Sequence, residues 1–182
     1  MKYPLVSSSF NKDEINQMKD VIKSDFFSMG PKVKKFEQIT ANYFGSKHCI
    51  MVNSGSSANL IALSAVLLSE KYNLNKGDEV IVPSLSWSTT YSPLFYLGLI
   101  PRYVDINLET LNISTSKLEK SITKKTKAIF VVNITGNPNY FDKISKLCKM
   151  KGILFFEDNC ESMGAKYNKK FCGTFGLFGT MS

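Results

Sequence analysis

Short apolar runs alternate with amphipathic segments along this sequence, and this alternation constrains the fold more than any other feature. The clearest run, residues 127–133, is the nearly continuous apolar stretch Lys-Ala-Ile-Phe-Val-Val-Asn, typical of a strand buried on both faces. Strands are also predicted at 49–52, 79–82, 98–105 and 153–156. Strand and helix alternating five times predict an α/β fold, with a mostly parallel sheet and helices on both faces.

Two segments before the first predicted strand carry helix start signals. Asn11, with Glu14 three residues later, forms a capping pattern for a helix over 11–23, and Pro31 suits the first turn of a helix reaching Phe44. We therefore divide the chain into an N-terminal arm and helix, residues 1–30, and part of a large α/β domain, residues 31–182. The apolar, strand-like residues before Ser182 lead us to expect a truncated domain.

Composition excludes several classes of protein. With 43% hydrophobic residues the 182-residue chain can bury a core, so disorder is excluded. The net charge of +8 comes from scattered lysines, with Arg102 as the one arginine, which does not suit a nucleic-acid partner. No apolar segment is long enough to span a membrane and the N-terminus lacks a signal peptide, so a cytoplasmic protein is predicted.

The cysteines indicate no metal site. None of the four forms a C-x-x-C pair, and the only histidine, His48, adds one further ligand. We therefore interpret the four cysteines as reduced, mostly buried thiols. The four are Cys49, Cys148, Cys160 and Cys172.

An acidic cluster follows the apolar run at 153–156. Asp158 lies just beyond this predicted strand, where ligands bind in open α/β sheets. A carboxylate there can hold the protonated ring nitrogen of a cofactor such as pyridoxal phosphate. The alternative is a simple loop cap.

A second candidate site follows the predicted strand at 49–52. The turn Asn-Ser-Gly-Ser-Ser-Ala at 53–58 opens an almost wholly apolar helix, whose first N–H groups and dipole suit a phosphate. Gly55 would allow close approach, and Ser56 and Ser57 would add hydroxyl donors. The alternative is a serine N-cap on a core helix. Trp87, among hydroxyl residues after another strand, could stack on a flat ring or pack in the core.

Taken together, these stretches closely resemble the DegT/DnrJ/EryC1/StrS sugar aminotransferase family along essentially the whole chain. The resemblance implies the large domain of aspartate-aminotransferase-like, fold-type I enzymes, and pyridoxal or pyridoxamine 5'-phosphate as cofactor. The stretches that carry it are Ser28-Met29-Gly30-Pro31, 53–58, 77–83, Val104-Asp105-Ile106, Gly136-Asn137-Pro138 and Glu157-Asp158.

The resemblance also implies roles for individual residues. Gly55, Ser56 and Ser57 would hold the cofactor phosphate, and Trp87 would stack on the pyridine ring. Asp158 would pair with the ring nitrogen. The two remaining candidates are Glu161, near the ring hydroxyl, and Asn133, bordering the ring or substrate.

The activity implied is amino transfer to a nucleotide-linked 4-keto-6-deoxy sugar, from a donor such as glutamate, in surface-polysaccharide or O-antigen synthesis. Glu161 departs from the Gln or His usual at its position. With Ser-Trp-Ser-Thr-Thr at 86–90, it favours the alternative, a pyridoxamine-dependent sugar 3-dehydratase. The Schiff-base lysine, or the histidine that replaces it in dehydratases, is expected beyond Ser182, so the catalytic residue is unknown and this chain alone would be inactive.

Two further expectations follow from the resemblance. The intact protein would be a homodimer with active sites at the subunit interface. The alternative class of function is a non-enzymatic regulator that binds the cofactor, and salt-sensitive DNA binding would indicate it. The sequence has no recognition helix with clustered arginines, which disfavours this alternative.

Overall fold

The computed structural model describes residues 8–182, which divide into two compact units. One unit comprises residues 8–43 and 47–51, and the other comprises residues 44–46 and 52–182. The predicted division at residue 30 separates an arm from a large domain rather than two compact units, and it stays a prediction. Residues 1–7 of that arm lie outside the described residues.

The first unit is built on two helices, α1 (Lys12–Ser24) and α2 (Pro31–Phe44, whose last residue lies in the second unit). The predicted capping box is confirmed. The Asn11 side chain accepts a hydrogen bond from the Asp13 N–H at 2.6 Å, and the Asn11 N–H donates to Glu14 Oε2 at 2.7 Å. These bonds use N–H groups that a helix start leaves unpaired, and so fix where α1 begins.

The second unit alternates helices and strands, as the sequence predicts. Its helices are α3 (Gly55–Leu67), α4 (Ser88–Tyr96), α5 (Thr115–Ser121) and α6 (Phe141–Lys151). Its strands are β1 (Glu79–Pro83), β2 (Ile100–Val104), β3 (Thr126–Val132), β4 (Leu154–Asp158), β5 (Lys166–Tyr167), β6 (Lys170–Phe171) and β7 (Phe178–Thr180). Within residues 8–182, no helix combines the length and the apolar character needed to cross a bilayer.

Five strands form one sheet in the order β2-β1-β3-β4-β7, and every neighbouring pair is parallel. The predicted parallel sheet is therefore confirmed. Strands β5 and β6 form a separate antiparallel pair. Because all five strands of the main sheet run the same way, their carboxyl ends share one edge, which is where open α/β sheets bind ligands.

The strand predicted at 49–52 is wrong. These residues form no strand in the structure, and the Ile50 side chain is 74% exposed. A strand needs a neighbour for its backbone hydrogen bonds, and no strand of the described residues pairs with this segment. The fifth strand of the sheet is instead β7, in the strand-like residues that end the chain.

Helices cover both faces of the sheet, each over a separate apolar core. On one face, α3 and α4 pack Leu63 and Leu94 against Phe130 and Phe156. On the other, α5 and α6 contribute side chains such as Phe141 to a core with the alternate residues of the same strands. Because strand side chains alternate between faces, β4 places Phe156 in one core and its neighbour, Phe155, in the other.

Leu63 and Leu108 provide a matched test of this core. Leu63 is fully buried whereas Leu108 is 84% exposed. We expect Leu63→Ala to lower the free energy of unfolding by about 2–5 kcal/mol, because it leaves a cavity among close-packed side chains. Leu108→Ala, the same change on the surface, should alter it by less than about 0.5 kcal/mol. Urea denaturation measures both, and equal effects would contradict the assignment of Leu63 to the core.

Candidate active site

Asp158 is the last residue of β4 and lies at the carboxyl edge of the sheet. It is aligned with Val132 on β3 and Thr180 on β7, so it is enclosed by strands on both sides. Its side chain is buried, with 3% of its surface exposed. The sequence predicts this position, and the structure adds what surrounds it.

Neutral donors hold the Asp158 carboxylate. Oδ2 accepts from Asn59 Nδ2 at 2.9 Å and from the Thr90 hydroxyl at 2.8 Å, while Oδ1 accepts from the Cys160 N–H at 3.1 Å. The salt bridges within residues 8–182 join Arg102 to Glu79 and Lys117 to Asp105, so no cation of the described chain pairs with Asp158. A buried carboxylate without a cation is costly, and this one fits a positively charged ligand group.

A second layer of hydrogen bonds surrounds these donors. Asn59 accepts from the Thr180 hydroxyl through Oδ1 at 2.6 Å and donates from Nδ2 to the Thr89 carbonyl at 3.1 Å. Thr90 accepts from the Ser86 hydroxyl at 2.8 Å. The network therefore links α3, the start of α4 and β7 to the end of β4. The sequence predicted none of its donors, although Asn59 is a polar residue in an otherwise apolar helix.

The start of α3 approaches this edge at Gly55. A Cβ added to Gly55 would lie 2.7 Å from Cys160 Sγ and 2.8 Å from the Ser182 Cβ, so only glycine fits this buried position. Burial and the neighbouring Asp158 raise the pKa of the Cys160 thiol to about 12, which keeps it neutral. The neighbours that crowd Gly55 are side chains of the protein itself, so the predicted close approach of a phosphate to Gly55 stays a prediction.

The two serines after Gly55 differ in their surroundings. The Ser57 N–H donates to Ser54 Oγ at 3.2 Å, which is the serine N-cap of the alternative interpretation, whereas Ser56 is exposed. A capped helix start and an anion site are compatible, because the cap uses one N–H and leaves the others of the first turn. Phosphate binding by Gly55, Ser56 and Ser57 stays a prediction.

The other predicted site residues are placed differently. Trp87 immediately precedes α4 and is 72% exposed, so it is no part of the apolar core. Glu161 is exposed and accepts from the Thr135 N–H through Oε2 at 2.6 Å. Thr135 has a φ of 53°, which is strained for a β-branched residue. The Glu161 carboxylate thus fixes an unusual loop beside the sheet edge.

Asn133 is completely buried and its amide is used within the protein. Nδ2 donates to Asn159 Oδ1 at 2.7 Å, and Oδ1 accepts from the Asn139 N–H at 3.0 Å. Asn139 in turn donates to Asn112. This chain of buried amides joins the loop after β3 to the residue that follows Asp158. A direct contact between Asn133 and the ring or substrate stays a prediction.

Glu157 precedes Asp158 but faces the other side of the sheet. Its buried carboxylate accepts three backbone N–H bonds of 2.6 Å each, from Gly173, Phe175 and Gly176. Burial raises the pKa of the Glu157 carboxyl above its ordinary value of 4.5, and the three donors oppose this only in part. Glu157 therefore organises the loop that leads into β7, while Asp158 remains at the ligand edge.

The site has the chemistry of a cofactor pocket. In the described part of the chain, no group of three or more His, Cys, Asp or Glu side chains could hold a metal ion. A buried anion held by neutral donors fits the pyridinium end of pyridoxal phosphate, and the N–H groups at the start of α3 suit its phosphate end.

Comparison with known proteins decides the family. The model of the DegT/DnrJ/EryC1/StrS aminotransferase family matches residues 8–182. The chain belongs to this family. The resemblance found in the sequence motifs is therefore confirmed.

Individual relatives are more informative about the branch. The chain is 52% identical to a GDP-4-keto-6-deoxy-D-mannose 3-dehydratase of Yersinia pseudotuberculosis, covering all of this chain and 46% of that protein. A solved Escherichia coli enzyme of the same name, with bound hydrated PLP, superposes with a TM-score of 0.96 at 50% identity, covering 100% of this chain and 46% of that one. An aminotransferase from Psychrobacter cryohalolentis has a TM-score of 0.88 at 28% identity, covering 96% of this chain and 43% of that one.

Two conclusions follow from these relatives. The chain spans slightly less than half the length of the dehydratases it matches. The prediction that gave amino transfer as the main activity is also less well supported than its alternative, because the similarity to dehydratases is much higher than the similarity to the aminotransferase.

Glu157 gives a pH-dependent test of this architecture. The pKa of Glu157 is raised in the folded state, so the fold is more stable when Glu157 is protonated. This contribution to stability is lost as the pH rises from the ordinary pKa of about 4.5 through the raised folded-state pKa. Glu157→Gln cannot ionise, so we expect the wild type to lose stability relative to this variant as the pH increases over that range. Urea denaturation of both proteins from pH 4 upward measures the difference, and parallel pH profiles would contradict the assignment.

Proposed function

We propose that the intact protein is a pyridoxamine 5'-phosphate-dependent 3-dehydratase acting on GDP-4-keto-6-deoxymannose. The buried Asp158 carboxylate, held by neutral donors without a cation, is the observation that carries the cofactor class. The 52% identity to the Yersinia dehydratase supports the substrate, and Glu161 with Ser-Trp-Ser-Thr-Thr at 86–90 supports the same branch. Polysaccharide synthesis is the setting we propose.

The residues of this chain would bind and orient the cofactor. Asp158 would keep the ring nitrogen protonated, which lets the bound cofactor act as an electron sink. The first turn of α3, with Gly55, Ser56 and Ser57, would hold the phosphate. Trp87, exposed beside α4, would cover one face of the ring, and Glu161 would stand near the ring hydroxyl.

The reaction needs partners that this chain does not supply alone. Glutamate would restore the amine form of the cofactor, and a second subunit would complete the active site. The proton-transfer residue is proposed to be a histidine beyond Ser182 rather than the Schiff-base lysine of an aminotransferase. In a dehydratase such a base assists loss of the C3 hydroxyl, and a lysine would favour amino transfer.

The full-length protein tests this function directly. It is incubated with GDP-4-keto-6-deoxymannose, pyridoxamine phosphate and glutamate, and the sugar product is identified by mass spectrometry and NMR. A product that lacks the C3 oxygen and keeps the C4 keto group supports the dehydratase. A product with an amino group at C4 overturns it in favour of an aminotransferase, and an unchanged sugar overturns both.

Asp158→Asn in the full-length protein should lower turnover about 10²-fold or more, because the neutral amide cannot stabilise a protonated ring nitrogen. The fold should persist, since the amide has nearly the shape of the carboxylate. Steady-state kinetics and thermal unfolding measure the two effects. Asp105→Asn, the same change at an exposed residue paired with Lys117, is the control and should leave turnover unchanged. Near-normal turnover of Asp158→Asn would contradict the proposed role.

A further inference from the structure

We propose that Asn59 and Thr90 are positioning residues that reserve one oxygen of Asp158 for the ring nitrogen of the cofactor. Neither residue is placed to act on a substrate, because both are completely buried behind the carboxylate. The ligand is the cofactor named under the proposed function, and the inference rests on that function. Asn59 and Thr90 would determine which oxygen of Asp158 binds that ligand.

The two carboxylate oxygens of Asp158 are not equivalent. Oδ2 receives two donors, Asn59 Nδ2 and Thr90 Oγ1, which uses both of its lone pairs. Oδ1 accepts the N–H of Cys160, and the neutral Cys160 thiol, a weak donor, also bonds to this carboxylate. A further donor can therefore bind at Oδ1 with at most the weak thiol donor displaced, and a protonated ring nitrogen is a single, stronger donor of this kind.

The Asn59 amide is fixed in one orientation by its other bonds. Oδ1 accepts from the Thr180 hydroxyl at 2.6 Å, and the two protons on Nδ2 go to the Thr89 carbonyl and to Asp158. Turning the amide over would place an oxygen against the Asp158 carboxylate and against the carbonyl. The side chain therefore presents a donor, never an acceptor, to Asp158.

The Thr90 hydroxyl is directed in the same way. The Ser86 hydroxyl donates to Thr90 Oγ1 at 2.8 Å, so the proton of Thr90 is free to point to Asp158 Oδ2. Ser86 lies two residues before α4, and Thr90 lies in its first turn. A chain of hydroxyls thus delivers a donor to the buried carboxylate without adding a charge.

Asn59 also connects the two ends of the proposed ligand site. It lies four residues after Gly55 on the buried face of α3, a rise of about 6 Å along one helix. The first turn of α3 is the candidate phosphate site, and the next turn holds the carboxylate for the ring. One rigid helix therefore sets the spacing between both contacts, which is why the donor is on α3 rather than on a loop.

The test compares two ligands in the full-length protein. One is pyridoxamine phosphate, and the other is its deaza analogue, in which a C–H group replaces the ring nitrogen. We expect Thr90→Val to bind pyridoxamine phosphate about tenfold more weakly than the wild type, because Asp158 loses a donor and its orientation. Binding of the deaza analogue should be unchanged, since that ligand makes no bond to Asp158. Thr90→Ser, which keeps the hydroxyl, should bind both as the wild type does.

Two more variants keep the test decisive if Thr90→Val is unstable. Asn59→Ala should show the same selective loss, and Ser64→Ala should not, because the Ser64 hydroxyl bonds only to the Leu60 carbonyl of its own helix. Equal loss of affinity for both ligands, or no loss for either, would overturn the positioning role. A wild type that binds pyridoxamine phosphate no more tightly than the analogue would instead overturn the cofactor assignment itself, and this inference with it.

Discussion

The buried carboxylate of Asp158 is the interaction on which the rest of this structure depends. A charge removed from water is stabilised here by hydrogen bonds alone, and each bond to a charged group contributes about 1.5–3 kcal/mol. Since whole domains are stable by only about 5–15 kcal/mol, such a group is tolerated only where its donors are held rigidly. Here α3, α4 and the loop after β4 each supply one donor.

Local features of the sequence predicted most of the fold. The capping box of α1, Pro31 at the start of α2 and the apolar run of β3 all depend on residues close together in the chain, and the structure contains each of them. The segment 49–52 shows the limit of predicting secondary structure from local sequence. Its composition suits a strand, but a strand also needs a neighbour, and pairing between distant segments cannot be read from composition.

The candidate site shows the same limit. Asp158 was predicted because it directly follows an apolar run, yet Asn59 and Thr90 lie 99 and 68 residues away from it in sequence. No spacing rule brings such residues together, since only the packing of α3 and α4 on the sheet does so. For Asn133 the position after β3 suggests a ligand contact, and the structure adds the internal bonds of its amide, which no local pattern predicts.

Few residues of the sequence distinguish amino transfer from dehydration. Amino transfer and dehydration use the same cofactor and fold, so the shared motifs cannot separate them. Within the described chain, the distinguishing signal was Glu161 and the residues around Trp87. Here the level of identity along the whole of this chain was more informative than any single side chain.

The neighbouring acids at the end of β4 have a consequence for how the sheet assembles. The run Leu154–Phe155–Phe156 is apolar on both faces, so sliding β4 by one residue would exchange one phenylalanine for another and barely change the buried apolar surface. The same slip would remove Glu157 from its three loop donors and turn Asp158 away from Asn59 and Thr90. Two carboxylates would then be buried unpaired. Glu157 and Asp158 together therefore disfavour a misaligned β4, whose register its apolar residues alone do not determine.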